Sequence, residues 1–328
     1  MGLLLHIKNK LRLWSDKSKI GNIVFQFARN CLANVLLLKS DESYAKWFYK
    51  LYTGKKLNLD DPKTLDEKIW WLKLNNRDPL LTKCSDKILV RDYVKELGYE
   101  DILIPQVAIF DKATDIDFSI FNEEVIFKCN SGSGENCFYN PIDNVKKQSS
   151  QKAIVKRMKL ALKNQPFKYS REWNYKNIKR KISVEKVIRD KNGQLPMDYK
   201  FMCFDGEPKL LFLDIGLIDE NNIYNHNYPR NIYDMDFNLL PVKETRENYN
   251  GEIKKPENFD KMIEIATKLS KPFPFCRVDL YNIDGKIYFG EITFYHGGGC
   301  NDIQPQEWDY KIGGWIDINS PKIIKEKQ

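Results

Sequence analysis

Arg277, Asp279, Glu291 and Thr293 are the residues whose types and spacing are best suited to chemistry. They lie in residues 276–299, which read CRVDLYNIDGKIYFGEITFYHGGG and end in three glycines. Residues two apart in a strand share a face, so Arg277 lies beside Asp279, and Glu291 lies beside Thr293. Mg²⁺ takes oxygen ligands and keeps water and substrate phosphates in its shell. The stretch therefore predicts either a small Mg²⁺ site or a surface hairpin with a salt bridge.

Two strands joined by a tight turn must position these residues. Val278 and Leu280 on the first strand, with Ile287 and Phe289 on the second, give the period-two pattern of a half-buried sheet. The residues between them, 282–285, read NIDG, and glycine tolerates the positive φ that such turns need. The pattern predicts a β-hairpin.

A second stretch with chemical potential is residues 124–139, EVIFKCNSGSGENCFY. A short apolar strand delivers Lys128, and a loop of glycine and serine follows at once. The loop residues are Ser131, Gly132, Ser133 and Gly134. Loops of this kind place backbone N–H groups around phosphate oxygens, and a nearby Lys adds charge. The stretch lacks the G-x-x-x-x-G-K-[ST] pattern, which argues against a Walker-type NTPase; an ordinary hairpin loop is the alternative.

Further strands continue this series along the chain. Residues 182–188, ISVEKVI, form a strand that contains Glu185, and residues 198–216 form a long hairpin with Lys200 on its first strand. The chain thus offers Lys, glycine loop, strand Glu, strand Lys, Arg-x-Asp and Glu in that order. The order is far more specific than any one piece.

Residues 145–181 are strongly basic, with thirteen Lys or Arg residues against the single acid Glu172. Tyr169, Trp173 and Tyr175 are interleaved with this charge. Single-stranded nucleic acid or a polyanionic sugar polymer would bind such a surface by stacking and charge. For residues 152–163, a solvated helix face is the prediction.

The composition is that of a folded, positively charged protein. Its 328 residues are 42% hydrophobic and 13% aromatic, which suggests two or three subdomains, and the net charge of +8 favours an acidic partner. The seven cysteines show no C-x-x-C pair, and three histidines are too few for a histidine-built zinc site. Reduced thiols in a cytoplasm are expected, because the chain shows neither a signal peptide nor a run of about 20 apolar residues.

The first 100 residues are predicted to be mainly helical. Residues 3–14 form a basic amphipathic helix, which either packs on its own domain or makes peripheral contact with an anionic membrane surface. Residues 44–100 are predicted to be helical throughout. Thr64 and Glu67 give a capping box, and a later helix begins near Ser85 and ends near Gly98.

The ordered set of residues resembles the ATP-grasp superfamily, and four runs are similar to its TupA-like family. These runs are residues 59–94, 169–175, 198–208 and 275–299, and the resemblance extends from about residue 44 to about residue 315. It implies an α+β ATP-grasp fold, in which two α+β subdomains grip ATP. The expected division is a helical region over 1–100, a subdomain with the glycine loop over 101–184, and a subdomain with the metal hairpin over 185–328.

The resemblance also assigns roles to residues. It places ATP phosphates at Lys87, Lys128, the loop 131–134 and Lys200. The adenine hinge that it implies consists of Val184, Glu185, Lys186 and Val187. It places Mg²⁺ at Asp279 and Glu291, and Thr293 stands where many members have the Asn of an E-x-N motif. Thr293 offers a hydroxyl oxygen to the metal in place of an amide carbonyl.

The activity implied by the resemblance is amide formation between a carboxylate and an amine through an acyl phosphate, with ATP and Mg²⁺. The family is linked to bacterial surface polysaccharide assembly, which implies an acidic sugar or polysaccharide acceptor and an amine or amino acid. The predicted location is cytoplasmic, at the inner face of the membrane if residues 3–14 bind it. A sugar kinase, a glycosyltransferase and a non-enzymatic polyanion-binding module are the alternatives, and nucleic-acid binding ranks last.

Residues around the hairpin receive the remaining roles. Arg277 is expected to steady the acyl phosphate, and His296 is expected either to accept the proton of the amine or to be a loop histidine without a catalytic task. The expected substrate contacts are Arg171, Lys179, Gly297 and Gly298.

Overall fold

The computed structural model of the protein describes residues 39–142, 150–218, 225 and 227–326, and elements are numbered here from residue 39. The amphipathic helix predicted for residues 3–14 lies outside the described residues, and so does the membrane contact proposed for it. Among the described helices, none is long and apolar enough to cross a membrane.

The described helices lie in three groups along the chain. They are α1 (Asp41–Thr53), α2 (Leu65–Asn75), α3 (Pro79–Ser85) and α4 (Val90–Glu96), then α5 (Gln151–Lys163) and α6 (Phe167–Ser170), and finally α7 (Phe259–Ser270) and α8 (Gln306–Gly314). The predicted capping box at the start of α2 is confirmed, because Thr64 accepts from the Glu67 backbone N–H and Glu67 accepts from the Thr64 backbone N–H.

The prediction that residues 44–100 are helical throughout is wrong, because the chain leaves the helix between α1 and α2 and again at Asp86. The Asp86 side chain accepts hydrogen bonds from the backbone N–H groups of Ile88, at 2.9 Å, and Leu89, at 3.4 Å. An aspartate that bonds locally in this way competes with helical hydrogen bonding. The helix predicted from Ser85 therefore begins only at α4, and Lys87 lies on a turn instead of on a helix.

The first sheet is antiparallel and has the strand order β1-β4-β2-β3. Its strands are β1 (Gln106–Phe110), β2 (Val125–Cys129), β3 (Cys137–Tyr139) and β4 (Ile182–Lys186). One face packs against α5, whose Ile154 and Met158 are fully buried with Phe127 and Val184. Full burial of each such side chain contributes roughly 1.5–3 kcal/mol.

The second sheet has five antiparallel strands in the order β10-β9-β5-β6-β7. They are β5 (Asp198–Phe204), β6 (Glu207–Asp214), β7 (Arg230–Tyr233), β9 (Phe275–Ile283) and β10 (Lys286–Thr293). The predicted hairpins at residues 198–216 and 276–299 are both present. The apolar face of this sheet packs against α7, which leaves the other face free for polar residues.

A two-stranded ribbon of β8 (Lys243–Glu244) and β11 (Ile303–Gln304) lies beside the second sheet. The two larger sheets belong to separate apolar cores. The predicted boundary between residues 184 and 185 falls inside β4, and the division of the chain into domains stays a prediction.

Candidate active site

A β-bulge at Gly290 brings the two predicted metal carboxylates to one face of the second sheet. Phe289 pairs with Leu280, but Glu291 pairs with Asp279, so the register shifts by one residue between them. Without this shift Glu291 would lie on the face opposite Asp279, because side chains alternate along a strand. Gly290 fits because a Cβ there would lie 3.0 Å from the Asp279 carbonyl oxygen.

Arg277 lies between these two carboxylates. Its Nε and Nη2 donate to the two oxygens of Asp279 at 2.6 Å each, and Nη2 also donates to Glu291 Oε1 at 3.0 Å. The Thr293 hydroxyl donates to the same Glu291 oxygen at 2.9 Å. Arg277, Asp279, Glu291 and Thr293 thus share one face, as the sequence predicts.

The donor set suits Mg²⁺ bound together with phosphate. Asp279 and Glu291 supply hard oxygen ligands on adjacent strands. In the part of the chain that the structure describes, no cluster of three or more His, Cys, Asp or Glu side chains is placed to hold a metal alone. A cation held by two carboxylates therefore needs further oxygen ligands, and ATP phosphates and water provide them.

The ionisation of Glu291 is fixed by its cationic neighbours. Burial acts to raise its pKa, but the charges of Lys87 and Arg277 outweigh burial and lower the pKa of Glu291 to about 2. Glu291 therefore remains an anionic oxygen donor across the physiological pH range.

Lys200 lies next to Asp279 in a nest of carboxylates that the sequence analysis missed. Its Nζ lies 3.2 Å from Asp214 Oδ2 and 3.8 Å from Asp279 Oδ2, and it also contacts Asp198. Burial acts to lower the pKa of Lys200, but these carboxylates outweigh it and raise the pKa above its usual range. Lys200 is thus a permanent buried cation beside the predicted metal ligands.

The polar face carries a closed ring of paired charges. Asp214 is bonded by Arg230 at 2.5 and 2.9 Å, and Arg230 contacts Glu244 on β8. Glu244 Oε1 lies 3.4 Å from His296 Nε2, and His296 Nδ1 lies 3.0 Å from Arg277 Nη1. Arg277 and Lys200 close the ring through Asp279. A buried charge without a partner is costly, so the ring holds its members in place collectively.

His296 is 2% exposed and belongs to this ring. Burial lowers its pKa below the usual value, which leaves the imidazole neutral. Because Arg277 is always a donor, Nδ1 is the acceptor nitrogen of this contact, and Nε2 carries the proton towards Glu244. The geometry gives His296 a clear task in positioning Arg277, and its task as a base stays a prediction.

The first sheet presents Lys128 and Glu185 on the face away from α5. Lys128 Nζ donates to Glu185 Oε2 at 2.7 Å, and Arg91 Nη1 lies 3.9 Å from the other oxygen. Val184 points to the opposite face, where it is fully buried, so only its backbone is available to an adenine. The remaining hinge residues bind locally: Lys186 pairs with Glu123 at 2.6 Å, and the Val187 N–H donates to the Glu124 carbonyl at 3.1 Å.

Lys87 joins the glycine loop to the metal hairpin. Its Nζ donates to the Gly132 carbonyl at 2.9 Å and lies 3.7 Å from Glu291 Oε2. Ser131 is 1% exposed, and among the described residues its hydroxyl has no hydrogen-bond partner. A buried, unsatisfied hydroxyl in a loop beside Lys87 fits a phosphate oxygen. Ser133 and Gly134 continue this loop, and Gly134 adopts a φ of +81°.

The predicted substrate contacts have different surroundings. Arg171 is 2% exposed, with its guanidinium 4.4 Å over the Tyr44 ring and its Nε 3.0 Å from Asp41 of α1. The Lys179 side chain is 81% exposed and lies 3.7 Å from Asp111. Lys179 is therefore accessible to a substrate, whereas Arg171 packs against α1. Both roles stay predictions.

Helix α2 holds the glycine run that follows the metal hairpin, a feature that the sequence analysis missed. Trp70 Nε1 donates to the Gly299 carbonyl at 2.8 Å, and Lys73 Nζ donates to the Gly298 carbonyl at 2.6 Å. Asp66 accepts from the backbone and side chain of Asn301. The spacing i, i+4, i+7 of these three α2 residues is a helical stripe, the signal that could have revealed the contact.

The glycine run itself is only partly free to bind an oxyanion. The Gly298 N–H donates to the Tyr295 carbonyl at 2.9 Å, so it is already committed within the loop. Gly297 and Gly298 have φ of +56° and +66°, and a Cβ on Gly297 would lie 1.8 Å from Asn301 Oδ1. Glycine is required at residue 297, and the role of both residues in substrate binding stays a prediction.

Solved structures with related folds are ligases. The D-alanine–D-alanine ligase from Bacillus anthracis is 16% identical, with 74% of this chain and 69% of that chain covered and a TM-score of 0.42. The corresponding ligase from Helicobacter pylori is 13% identical, with 80% and 69% covered and a TM-score of 0.42. The L-amino acid ligase from Bacillus licheniformis is 13% identical, with 70% of this chain but only 49% of that chain covered, and a TM-score of 0.44. No curated protein sequence gives a significant match.

The sequence profile of the TupA-like ATP-grasp family matches residues 67–317, well over half of the chain. This span contains both sheets, the glycine loop and the metal hairpin described above. The predicted α+β ATP-grasp fold and the predicted use of ATP and Mg²⁺ are confirmed. The chain therefore belongs to the TupA-like ATP-grasp family and is an ATP-grasp ligase.

Proposed function

We propose that the protein forms an amide between a carboxylate and an amine through an acyl phosphate, and that the carboxylate belongs to an acidic sugar of a bacterial surface polysaccharide or its precursor. The observation that carries the proposal is Arg277, which lies within bonding distance of both metal carboxylates and is held from behind by His296. An acyl-phosphate pathway needs a fixed cation at this position.

The residues divide the work of phosphoryl transfer. Asp279 and Glu291 would hold Mg²⁺, which neutralises the charge that develops on the ATP phosphates. Lys128 and the loop 131–134 would bind phosphate oxygens from the first sheet, and Lys200 from the second. Phosphoryl transfer depends on such positioning and charge compensation more than on covalent help from the protein.

Formation of the amide needs a second set of residues. A carboxylate is a poor electrophile, so phosphorylation first supplies a leaving group, and the amine then displaces phosphate. Arg277 would stabilise the oxyanion of that second step, because it is buried and permanently charged. Lys87 and Lys200 would balance the released phosphate.

Charge supports an acidic acceptor. The chain carries a net charge of +8, and residues 145–181 contain thirteen basic residues against one acid. Lys179, which is 81% exposed, belongs to this basic segment. A uronic acid provides both the reacting carboxylate and the negative charge that such a surface attracts.

The proposal is tested by measuring ATP consumption across a panel of uronic acids and amino acids, with ADP and AMP quantified separately and the product mass determined. ADP together with an amide product is expected. AMP would indicate adenylation and overturn the acyl phosphate, a stable phosphorylated sugar would indicate a kinase, and consumption of a nucleotide sugar without ATP would indicate a glycosyltransferase. The Asp279→Ala/Glu291→Ala double variant should fold and lose ATP turnover, and an active double variant would end the proposal.

A further inference from the structure

The outward face of α5 carries a straight stripe of lysines. Lys152, Lys156, Lys159 and Lys163 are spaced by four, three and four residues, which places them on one side of the helix, and all four are exposed. At 1.5 Å per residue the stripe is about 16 Å long, with one charge per turn of about 5.4 Å. α5 itself contains no Asp or Glu.

This stripe, called here the lysine stripe, lines a groove. The groove has a volume of about 570 Å³ and is bounded on its far side by Phe118. Val155 and Leu160 add apolar surface between the lysines, and Leu160 is 53% exposed. Among the described residues that line the groove, none is acidic. The groove therefore combines a row of positive charges with an apolar floor and one aromatic ring.

The lysine stripe is held rigidly and leads towards the active site. The opposite face of α5 is buried through Ile154, Met158 and Ala161. At its C-terminal end Asn164 donates to Glu135 at 3.0 Å, and Arg157 donates to the Gly134 carbonyl at 3.0 Å. The stripe thus ends at the glycine loop, which is the loop assigned to ATP phosphate.

We propose that this groove is a second binding site for the acceptor, and that it takes a linear acidic polysaccharide several sugar units long. The inference rests on the proposed function for the reaction itself, and it narrows the acceptor from a sugar or precursor to a polymer. Four lysines at regular spacing match a chain with one carboxylate per repeating unit, whereas a single sugar would engage only one or two of them. The lysine side chains and the Phe118 ring then act on charge and on sugar rings respectively.

The shape of the groove favours a sugar polymer over two other polyanions. An anionic membrane is a broad surface, and an amphipathic helix lies on it with its apolar face down, but the apolar face of α5 is buried in its own subdomain. Single-stranded nucleic acid binds by stacking successive bases on several aromatic side chains, and Phe118 is the aromatic residue that lines the described groove.

The test measures binding of oligogalacturonates of increasing length to the full chain, with Mg²⁺ but without ATP, at two salt concentrations. Affinity is expected to rise with length until the chain spans the lysine stripe and to fall with salt, because polyanion binding releases counterions. The Lys152→Gln/Lys156→Gln/Lys159→Gln/Lys163→Gln variant should bind on the order of tenfold or more weakly. The control changes four other exposed lysines, Lys56, Lys254, Lys271 and Lys286, to Gln and loses the same net charge.

Each outcome decides the matter. Equal affinity of the stripe variant and the control variant, or affinity independent of length, would overturn the inference, and so would tighter binding of oligothymidylate or of phosphatidylglycerol vesicles. Both variants should keep the melting temperature of the wild type, since the eight lysines lie on the surface. The two proposals fail separately: retained polymer binding without any ligase product overturns the function alone, and an active ligase whose polymer binding ignores the stripe overturns this inference alone.

Discussion

Arg277 controls the electrostatics of the site because both metal carboxylates share it. Its guanidinium holds Asp279 through two bonds and Glu291 through one, while His296 accepts a bond from its other side. The plane of the guanidinium is therefore fixed before any substrate enters. Fixed charge stabilises a developing oxyanion better than mobile charge, since no reorganisation is needed during the reaction.

Thr293 is predicted to act mainly through Glu291. Thr293→Val removes the hydroxyl that bonds Glu291 Oε1 and keeps the shape of the side chain, so the Mg²⁺ concentration for half-maximal ATP turnover should rise by about tenfold, the value of one hydrogen bond to a charged group. Thr293→Ser should resemble the wild type, and Glu291→Gln should abolish turnover. Mg²⁺ titration of ADP release measures all three. If Thr293→Val were as inactive as Glu291→Gln, the hydroxyl would be a metal ligand.

At the scale of elements, β10 works because it is irregular. Ile287 and Phe289 are two apart and both buried, whereas the next buried residue, Ile292, follows three positions later. That change of spacing is where the bulge lies, and it moves Glu291 onto the face of Asp279. A regular strand of the same composition would bury Glu291 in the apolar core.

Gly290→Ala tests the role of the bulge. The new Cβ would lie 3.0 Å from the Asp279 carbonyl oxygen and 3.3 Å from the Tyr281 ring, so β9 and β10 must move apart at the metal carboxylates. We expect ATP turnover to fall by about tenfold or more with a modest loss of stability, of roughly 1–3 kcal/mol. Gly314→Ala is the matched control, because nothing lies within 4 Å of its Cβ position. Equal turnover in the two variants, measured beside their melting curves, would show that the bulge does not set the site.

Helix α2 belongs functionally to the active site although it precedes both sheets in the chain. Through Asp66, Trp70 and Lys73 it fixes the backbone of residues 298–301, next to His296. Lys73 is fully buried, lies 3.9 Å over the Trp70 ring, and pairs with Glu172 at 4.0 Å. The family profile begins within α2, at residue 67, which agrees with a helix that the site requires.

For the whole molecule, the parts that were predictable from sequence are those built from near neighbours. The hairpin of Arg277, Asp279 and Glu291 has its pattern within one stretch, and so does the strand and loop after Lys128. Asp214, Arg230 and Glu244 were not predictable, because only the pairing of β6 with β7 and of β8 with β11 brings them to Arg277. Charge alone does not reveal such a ring, since a buried and a solvated acid look alike in a sequence.

The two sheets meet at Lys87, and this contact gives the last prediction. Lys87 bonds the glycine loop below the first sheet and lies beside Glu291 on the second, so bound Mg²⁺-nucleotide would contact both sheets with Lys87 between them. A ligand that binds only the folded state stabilises it according to its affinity. Lys87→Met should therefore weaken Mg²⁺-ADP binding by about tenfold, close to 1.4 kcal/mol, and reduce the thermal shift accordingly.

Lys83→Met is the control for this prediction, because Lys83 lies one turn earlier on α3 and pairs with Glu96 on the surface at 2.9 Å. It should keep the full thermal shift. If both variants kept the shift, Lys87 would bind only the glycine loop, and the sheets would hold nucleotide without it. If both lost it, the cause would be the general loss of positive charge around α3, and the specific bridge between Gly132 and Glu291 would be excluded.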